Sequence, residues 1–164
     1  MRHILRQRKL VEDNWRYLGE EAAESDALIV PWAQLRADPE KWLARSAPLG
    51  VRIAPADKVE ELKEYLPRLS LVAVEFPTVT DGRGYSLGRV LRTRLNFQGE
   101  LRAVGVVKQD QVFLQARCGF DSFELAAGEN VEEATRALQR YTVAYQPEDP
   151  RVAIRQQRFF AGGA

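Results

Sequence analysis

The sequence predicts an α/β fold built from repeated strand–helix units around a mainly parallel sheet. Three observations predict it. Short apolar runs alternate with stretches of about ten residues whose apolar positions recur at helical spacing. Glycine, proline and aspartate separate the runs. The 164 residues suit one ordinary domain with its own core. Strands joined by such helices call for right-handed crossovers between parallel neighbours. An open or incomplete barrel-like sheet meets that requirement, with a doubly wound sheet as the alternative. The expected division is a single α/β domain over residues 1–146, opened by an N-terminal β-hairpin within 1–20, and an extended C-terminal tail over 147–164.

Taken in order, Ile4 to Leu18 alternates crudely and breaks at Glu12-Asp13-Asn14, which reads as a hairpin with an aspartate–asparagine turn. Ala27-Leu28-Ile29-Val30 is a short apolar run closed by Pro31, a candidate strand. From Trp32 to Arg45 the positions Trp32, Leu35, Trp42 and Leu43 fit helical spacing, and Asp38-Pro39 marks a fresh helix start at a first-turn proline. The pattern then becomes regular: strand Leu49–Ile53, helix Asp57–Tyr65, strand Leu69–Phe76 and helix Tyr85–Leu95. Two further units follow, with strand Leu101–Val104, helix Gln109–Arg117 closed by Gly119, strand Phe120–Leu125 and helix Val131–Tyr141.

Charge and composition narrow the chemistry. Lysine and arginine total 24 against 23 aspartates and glutamates, so a net charge of +1 gives no field to gather nucleic acid or an anionic membrane. Apolar stretches such as Leu69 to Val74 fall well short of the roughly 18 residues that span a bilayer. The start Met1-Arg2-His3-Ile4-Leu5-Arg6 turns polar before a signal-peptide core can form, so a cytoplasmic location is expected. The chain has one cysteine, Cys118, and one histidine, His3. Iron–sulfur clusters and structural zinc need sets of such ligands, so no metal site is expected unless another chain contributes. A His-based triad is equally disfavoured, because His3 is expected in a mobile terminus or an edge strand. Cys118 lies at a helix C-terminal end, where the macrodipole opposes a thiolate, and reads as a buried structural cysteine.

The segment with most chemistry is Thr80-Asp81-Gly82-Arg83-Gly84-Tyr85-Ser86, which follows the most apolar strand and opens an arginine-rich helix. Gly82 and Gly84 permit close backbone approach, the helix N-terminus offers unpaired N–H groups, and Arg83 adds a fork of donors. A phosphate, a sulfur oxyanion or a flavin phosphate would suit that loop, with Arg89 as a supplementary cation. The competing reading is that Thr80 or Asp81 caps the helix and the glycines only permit the turn. Arg89 and Arg92 share a helix face, Arg94 points elsewhere, and Arg102 follows the Gly99-Glu100 turn; a solvated, partly paired face is the plain expectation. Glu75, Asp81, Asp110 and Asp121 lie in or near strand-end loops, but no spacing selects an acid–base pair, and no catalytic residue is assigned. In the tail, Arg155, Arg158, Phe159 and Phe160 combine the side chains that anchor interfaces, so docking on a partner subunit or a homodimer mate is expected.

The segments Thr80 to Ser86, Gly99-Glu100-Leu101-Arg102-Ala103-Val104-Gly105, Asp110-Gln111 and Arg117-Cys118-Gly119-Phe120-Asp121-Ser122-Phe123 together resemble the bacterial domain-of-unknown-function family 934, over roughly Leu49 to Tyr141. Members of that family carry the label of oxidoreductases in sulfite reduction. The resemblance implies a role beside the haem sulfite reductase subunit in sulfur assimilation, with that subunit as partner. The family usually has an acid after the glycine matching Gly105, whereas this chain has Val106. No cofactor is evident, since cluster ligands, haem ligands and a nucleotide fingerprint are all missing from the sequence.

Overall fold

The computed structural model describes residues 2–140. Eight strands among them form one sheet: β1 (His3–Arg6), β2 (Lys9–Glu12), β3 (Trp15–Tyr17), β4 (Ala27–Pro31), β5 (Leu49–Ile53), β6 (Leu71–Phe76), β7 (Glu100–Gly105) and β8 (Ser122–Phe123). Their spatial order is β2-β1-β8-β7-β6-β5-β4-β3. From β4 to β8 every strand lies beside its predecessor and runs parallel to it, whereas β1 pairs antiparallel with both β2 and β8. A doubly wound sheet reverses its order at a switch point. Strictly sequential order is that of a βα-barrel, and the sheet curls as a half-barrel.

The period-2 alternation of the strands sorts residues onto two faces. Leu49, Val51 and Ile53 of β5, Val72, Val74 and Phe76 of β6, and Leu101 and Ala103 of β7 belong to the main core under the helices. The opposite, inner face carries a smaller cluster of Trp15, Ile29, Leu71, Ala73 and Val104. Helices α1 (Trp32–Ala37), α2 (Pro39–Leu43), α3 (Arg83–Thr93), α4 (Val112–Arg117) and α5 (Val131–Gln139) fill the connections. The proline start of α2 is as expected: the Asp38 carboxylate accepts the Lys41 N–H at 3.2 Å and Pro39 opens the first turn. Asn130 caps α5 in the same way, accepting the Glu133 N–H at 3.1 Å.

Glycines let α3 lie close on the sheet and on its neighbour. A Cβ on Gly84 would sit 2.6 Å from the Phe76 ring, and one on Gly88 would sit 2.3 Å from the Phe120 ring. Both spaces are already filled by core aromatics.

Three expectations need correction. The hairpin turns at Gln7 and Arg8, with φ of 50° and 63°, not at Glu12–Asn14. Arg6 pairs with Lys9, so a two-residue loop joins the strands, and positive φ at both of its positions is the type I′ form that matches strand twist. Glu12–Asn14 instead carries the chain to β3 at the far edge of the sheet. The helix expected over Asp57–Tyr65 is two 3-10 turns, Val59–Leu62 and Leu66–Arg68. Pro67 lacks an N–H and sits in the second turn, and i→i+3 bonds such as Tyr65 N–H to Leu62 O at 2.8 Å replace a continuous helix. The strand expected over Phe120–Leu125 shrinks to Ser122–Phe123. The tail residues Arg155, Arg158, Phe159 and Phe160, and the division at 146, lie outside the described residues.

Candidate functional site

The loop before α3 holds its own anion. Asp81 and Arg83 are two residues apart, so their side chains meet locally: Asp81 Oδ2 accepts from Arg83 Nη2 at 2.7 Å, and Oδ1 accepts from Nε at 3.0 Å. The same Oδ1 accepts the Arg83 backbone N–H at 3.1 Å. These hydrogen bonds and the adjacent charge hold the Asp81 carboxyl below its usual range. Thr78 and Thr80 place their hydroxyls 3.3 Å apart on the exposed side of the loop, and Ser86 is exposed as well. Gly82 has open space where a Cβ would stand, whereas Gly84 is packed on Phe76. Tyr85 also turns to Phe76, ring edge to ring face at 5.2 Å. Of the eight residues expected to bind an anion, Asp81, Gly82 and Arg83 thus gather at the helix N-terminus, while Gly84 and Tyr85 serve packing. Arg89 lies at Cys118, whose thiol is pushed up by burial against the opposing effect of the Arg89 guanidinium.

Arg92 corrects the expectation of a solvated arginine face. Its side chain is buried and acts as a clamp: Nε donates to Gly119 O at 2.9 Å, Nη1 to Phe97 O and Gly99 O at 2.8 Å each, and Nη2 to Asp121 Oδ2 at 3.1 Å. Asp121 also accepts the Leu101 N–H at 2.8 Å. That aspartate, a candidate acid by sequence, therefore ties α3 to the start of β7. Val106, where an acid was expected from the resemblance, donates its N–H to Phe76 O at 2.7 Å and places no carboxylate at the end of β7.

The inner face holds a second charged assembly that sequence reading missed. Arg102, in the middle of β7, is fully buried and forks onto Asp13, with Nη1 to Oδ2 at 2.9 Å and Nη2 to Oδ1 at 3.0 Å. Its Nη2 also reaches Glu100 Oε1 at 2.9 Å, and Ser122 donates to the same oxygen at 2.7 Å. Arg2 adds a bond to Asp13 at 2.8 Å and another to Trp15 O at 2.7 Å. Burial pushes the Asp13 carboxyl up, but the hydrogen bonds and charge of Arg102, the Arg2 bond and the Trp15 N–H outweigh it, and the net shift is downward.

Above this layer, at the C-terminal ends of the parallel strands, Tyr17, Arg52, Glu75 and Glu124 come together. Tyr17 donates to Glu124 Oε2 at 2.8 Å, and Arg52 Nη2 pairs with Glu75 Oε1 at 2.7 Å. The guanidinium carbons of Arg2 and Arg52 stand 4.6 and 5.9 Å from the centre of the Tyr17 ring. Burial, then the charge and hydrogen bond of Glu124, raise the Tyr17 pKa against the opposing pull of Arg102 and Arg2, so its phenol stays protonated. Strand ends of this kind are where βα folds place their sites. The missed signal was an arginine inside each of two apolar strands, Arg52 and Arg102, since a charge at such a position needs a partner.

A family model described as "Bacterial protein of unknown function (DUF934)" matches residues 50–153. No curated protein matches the chain.

Proposed function

The chain belongs to the bacterial family of unknown function DUF934, and from that premise we propose that it is an accessory protein of assimilatory sulfite reduction. In this reading it binds or serves the haem sulfite reductase subunit and leaves the redox chemistry to that partner. The pathway and the partner come from the resemblance carried by Thr80 to Ser86, Gly99 to Gly105, Asp110-Gln111 and Arg117 to Phe123. The observation that supports an accessory role is the condition of Cys118. The chain's single thiol is buried at the end of α4, and burial pushes its pKa up, which disfavours the thiolate that disulfide exchange requires.

Co-purification tests the proposal. The tagged full chain is expected to retain the haem subunit at low salt, and failure to do so at high protein concentration would overturn the partner reading. The second reading is a small-molecule enzyme or binding protein whose anionic ligand sits on the Thr80 to Ser86 loop. A ligand there would first displace the Asp81 carboxylate from Arg83, and this internal competition sets the reading behind the first.

A further inference from the structure

The outer side of α3 and α4 carries apolar side chains that the fold leaves in water. Val79, in the loop before α3, is 44% exposed, and Leu114, in the middle of α4, is 49% exposed. Gln111 Nε2 donates to Val79 O at 3.1 Å, which ties that loop to the start of α4. Gln111, Leu114 and Arg117 recur every third residue and form one stripe along the helix, while Val112, Gln115 and Ala116 are buried beneath it. Tyr85 of α3 is half-buried beside them: burial, then the charges at Cys118 and Asp110, push its phenol up, which sets the ring alongside α4. Scattered exposed apolar residues are ordinary on a protein surface. These adjoin an aromatic ring and a basic rim. Arg83 and Arg89 are exposed on α3, Arg117 closes α4, and neither helix contains an aspartate or a glutamate.

We infer that this face docks on an acidic surface of a partner protein, with Val79, Tyr85 and Leu114 at its centre and Arg83, Arg89 and Arg117 around them. Interface centres are depleted of charge and rich in aromatic side chains, and arginine is the cation that interfaces favour. Charge selects the occupant. A second copy related by a two-fold axis would lay this face on itself, arginine against arginine, which like charges oppose. The chain after Arg140 brings Glu148 and Asp149 against Arg151, Arg155 and Arg158, so it has no negative excess to offer. An acidic partner meets the apolar centre and the basic rim together. The inference rests on the reading that the chain serves a partner protein, and it adds which face does so.

Surface plasmon resonance with the immobilised full chain and the purified haem sulfite reductase subunit tests the assignment. Leu114→Glu and Val79→Glu place a carboxylate in the patch, and each should weaken binding by about tenfold or more. Both side chains are half in water, so the unfolding midpoints of the variants should match the wild type. Leu10→Glu, at an equally exposed apolar position on β2 at the edge of the sheet, should bind as the wild type does. Wild-type binding should also weaken as sodium chloride is raised, because rim charges are screened. If the wild type binds and both patch variants bind equally well, this face is not the docking surface, although the partner reading survives. Binding that is indifferent to salt overturns the acidic chemistry of the partner, and a homodimer that Leu114→Glu dissolves gives the face to a second copy instead. If the wild type itself does not bind, the partner reading fails and the assignment falls with it.

Discussion

The loop before α3 and the inner face of the sheet each hold an arginine–aspartate pair, with closest contacts of 2.7 and 2.9 Å. Everything else about the two pairs differs. Asp81 and Arg83 are two residues apart, and the Arg83 side chain is 63% exposed. Asp13 and Arg102 are 89 residues apart, and both side chains are fully buried. An exposed pair gains little, because water and salt screen it and two long side chains must be held still. A buried pair is different: once the fold has taken both charges out of water, neither can be removed without stranding the other. The local pair shapes one loop, whereas the distant pair connects the chain before β3 to the middle of β7.

The largest expected effect is on the distant pair. Asp13→Asn removes the fork partner of Arg102 and one partner of Arg2. Breaking a buried pair from one side usually costs 3–5 kcal/mol, and the surviving Glu100 contact places this case at about 3 kcal/mol, readable from urea unfolding at pH 7. The difference from wild type should depend on pH. The folded Asp13 pKa lies below its ordinary value of 3.8, so its stabilisation is fully present above that value and is lost as pH falls through the folded pKa. The gap between wild type and Asp13→Asn should therefore begin to narrow only below about pH 4 and close as the lowered folded pKa is passed. A gap that stays constant from pH 7 down to pH 3 would mean that packing, not charge, is what the substitution removes.

A second set of substitutions asks whether the glycines of the α3 region serve packing or ligand approach. Gly88→Ala and Gly84→Ala push a methyl into the buried rings of Phe120 and Phe76. Each should destabilise by about 1–3 kcal/mol, the range for overfilling a packed core. Gly82→Ala meets open space at a φ of −83° and should leave the unfolding midpoint almost unmoved. If Gly84→Ala proved neutral, the close approach of α3 to β6 would be wrong.

Tyr17→Phe removes the donor to Glu124 while keeping the ring under Arg2. A hydrogen bond to a charged group contributes about 1.5–3 kcal/mol when enclosed, and partial exposure here reduces that to about 1 kcal/mol. Chemical denaturation would read it. A loss approaching that of Asp13→Asn would extend the buried assembly up to the strand ends.

The fold class was legible because alternation at period 2 and helical spacing are local patterns. Leu49–Ile53 and Asp38-Pro39 declare their structure within a few residues, and β5 and α2 appear where they were expected. The sequence favoured an open or incomplete barrel-like sheet with a doubly wound sheet as the alternative, and only the sequential order β3 to β8 decides between them. The helix expected over Asp57–Tyr65 ended before Pro67, and a short apolar spacing does not distinguish i→i+3 turns from an α-helix. The inner charged face was legible only in part. Arg52 and Arg102 sit conspicuously in apolar strands, but nothing near them in the chain names Asp13, because the partner lies 89 residues away in a segment that looks like a turn. Arg92 was misread for the same reason: the carbonyls it clamps belong to Phe97, Gly99 and Gly119, which a helix-face argument does not reach.

The smallest expected effect belongs to the pair that the sequence displays most openly. Asp81→Asn removes a charge that Arg83 can replace with water, since Arg83 is exposed, and an asparagine oxygen can still accept the Arg83 N–H at the start of α3. The extrapolated stability should therefore change by less than the 10–15% or so that such extrapolations carry. Asp81→Ala goes one step further, because it takes away the cap as well and leaves the Arg83 guanidinium without its internal anion. If the loop is a ligand site held shut by its own aspartate, sulfate should now produce a stabilisation that is absent in the wild type and abolished by adding Arg83→Ala. If the aspartate is only a cap, Asp81→Ala should lower stability modestly in sulfate and in chloride alike at matched ionic strength, and the loop then has no anion to regain.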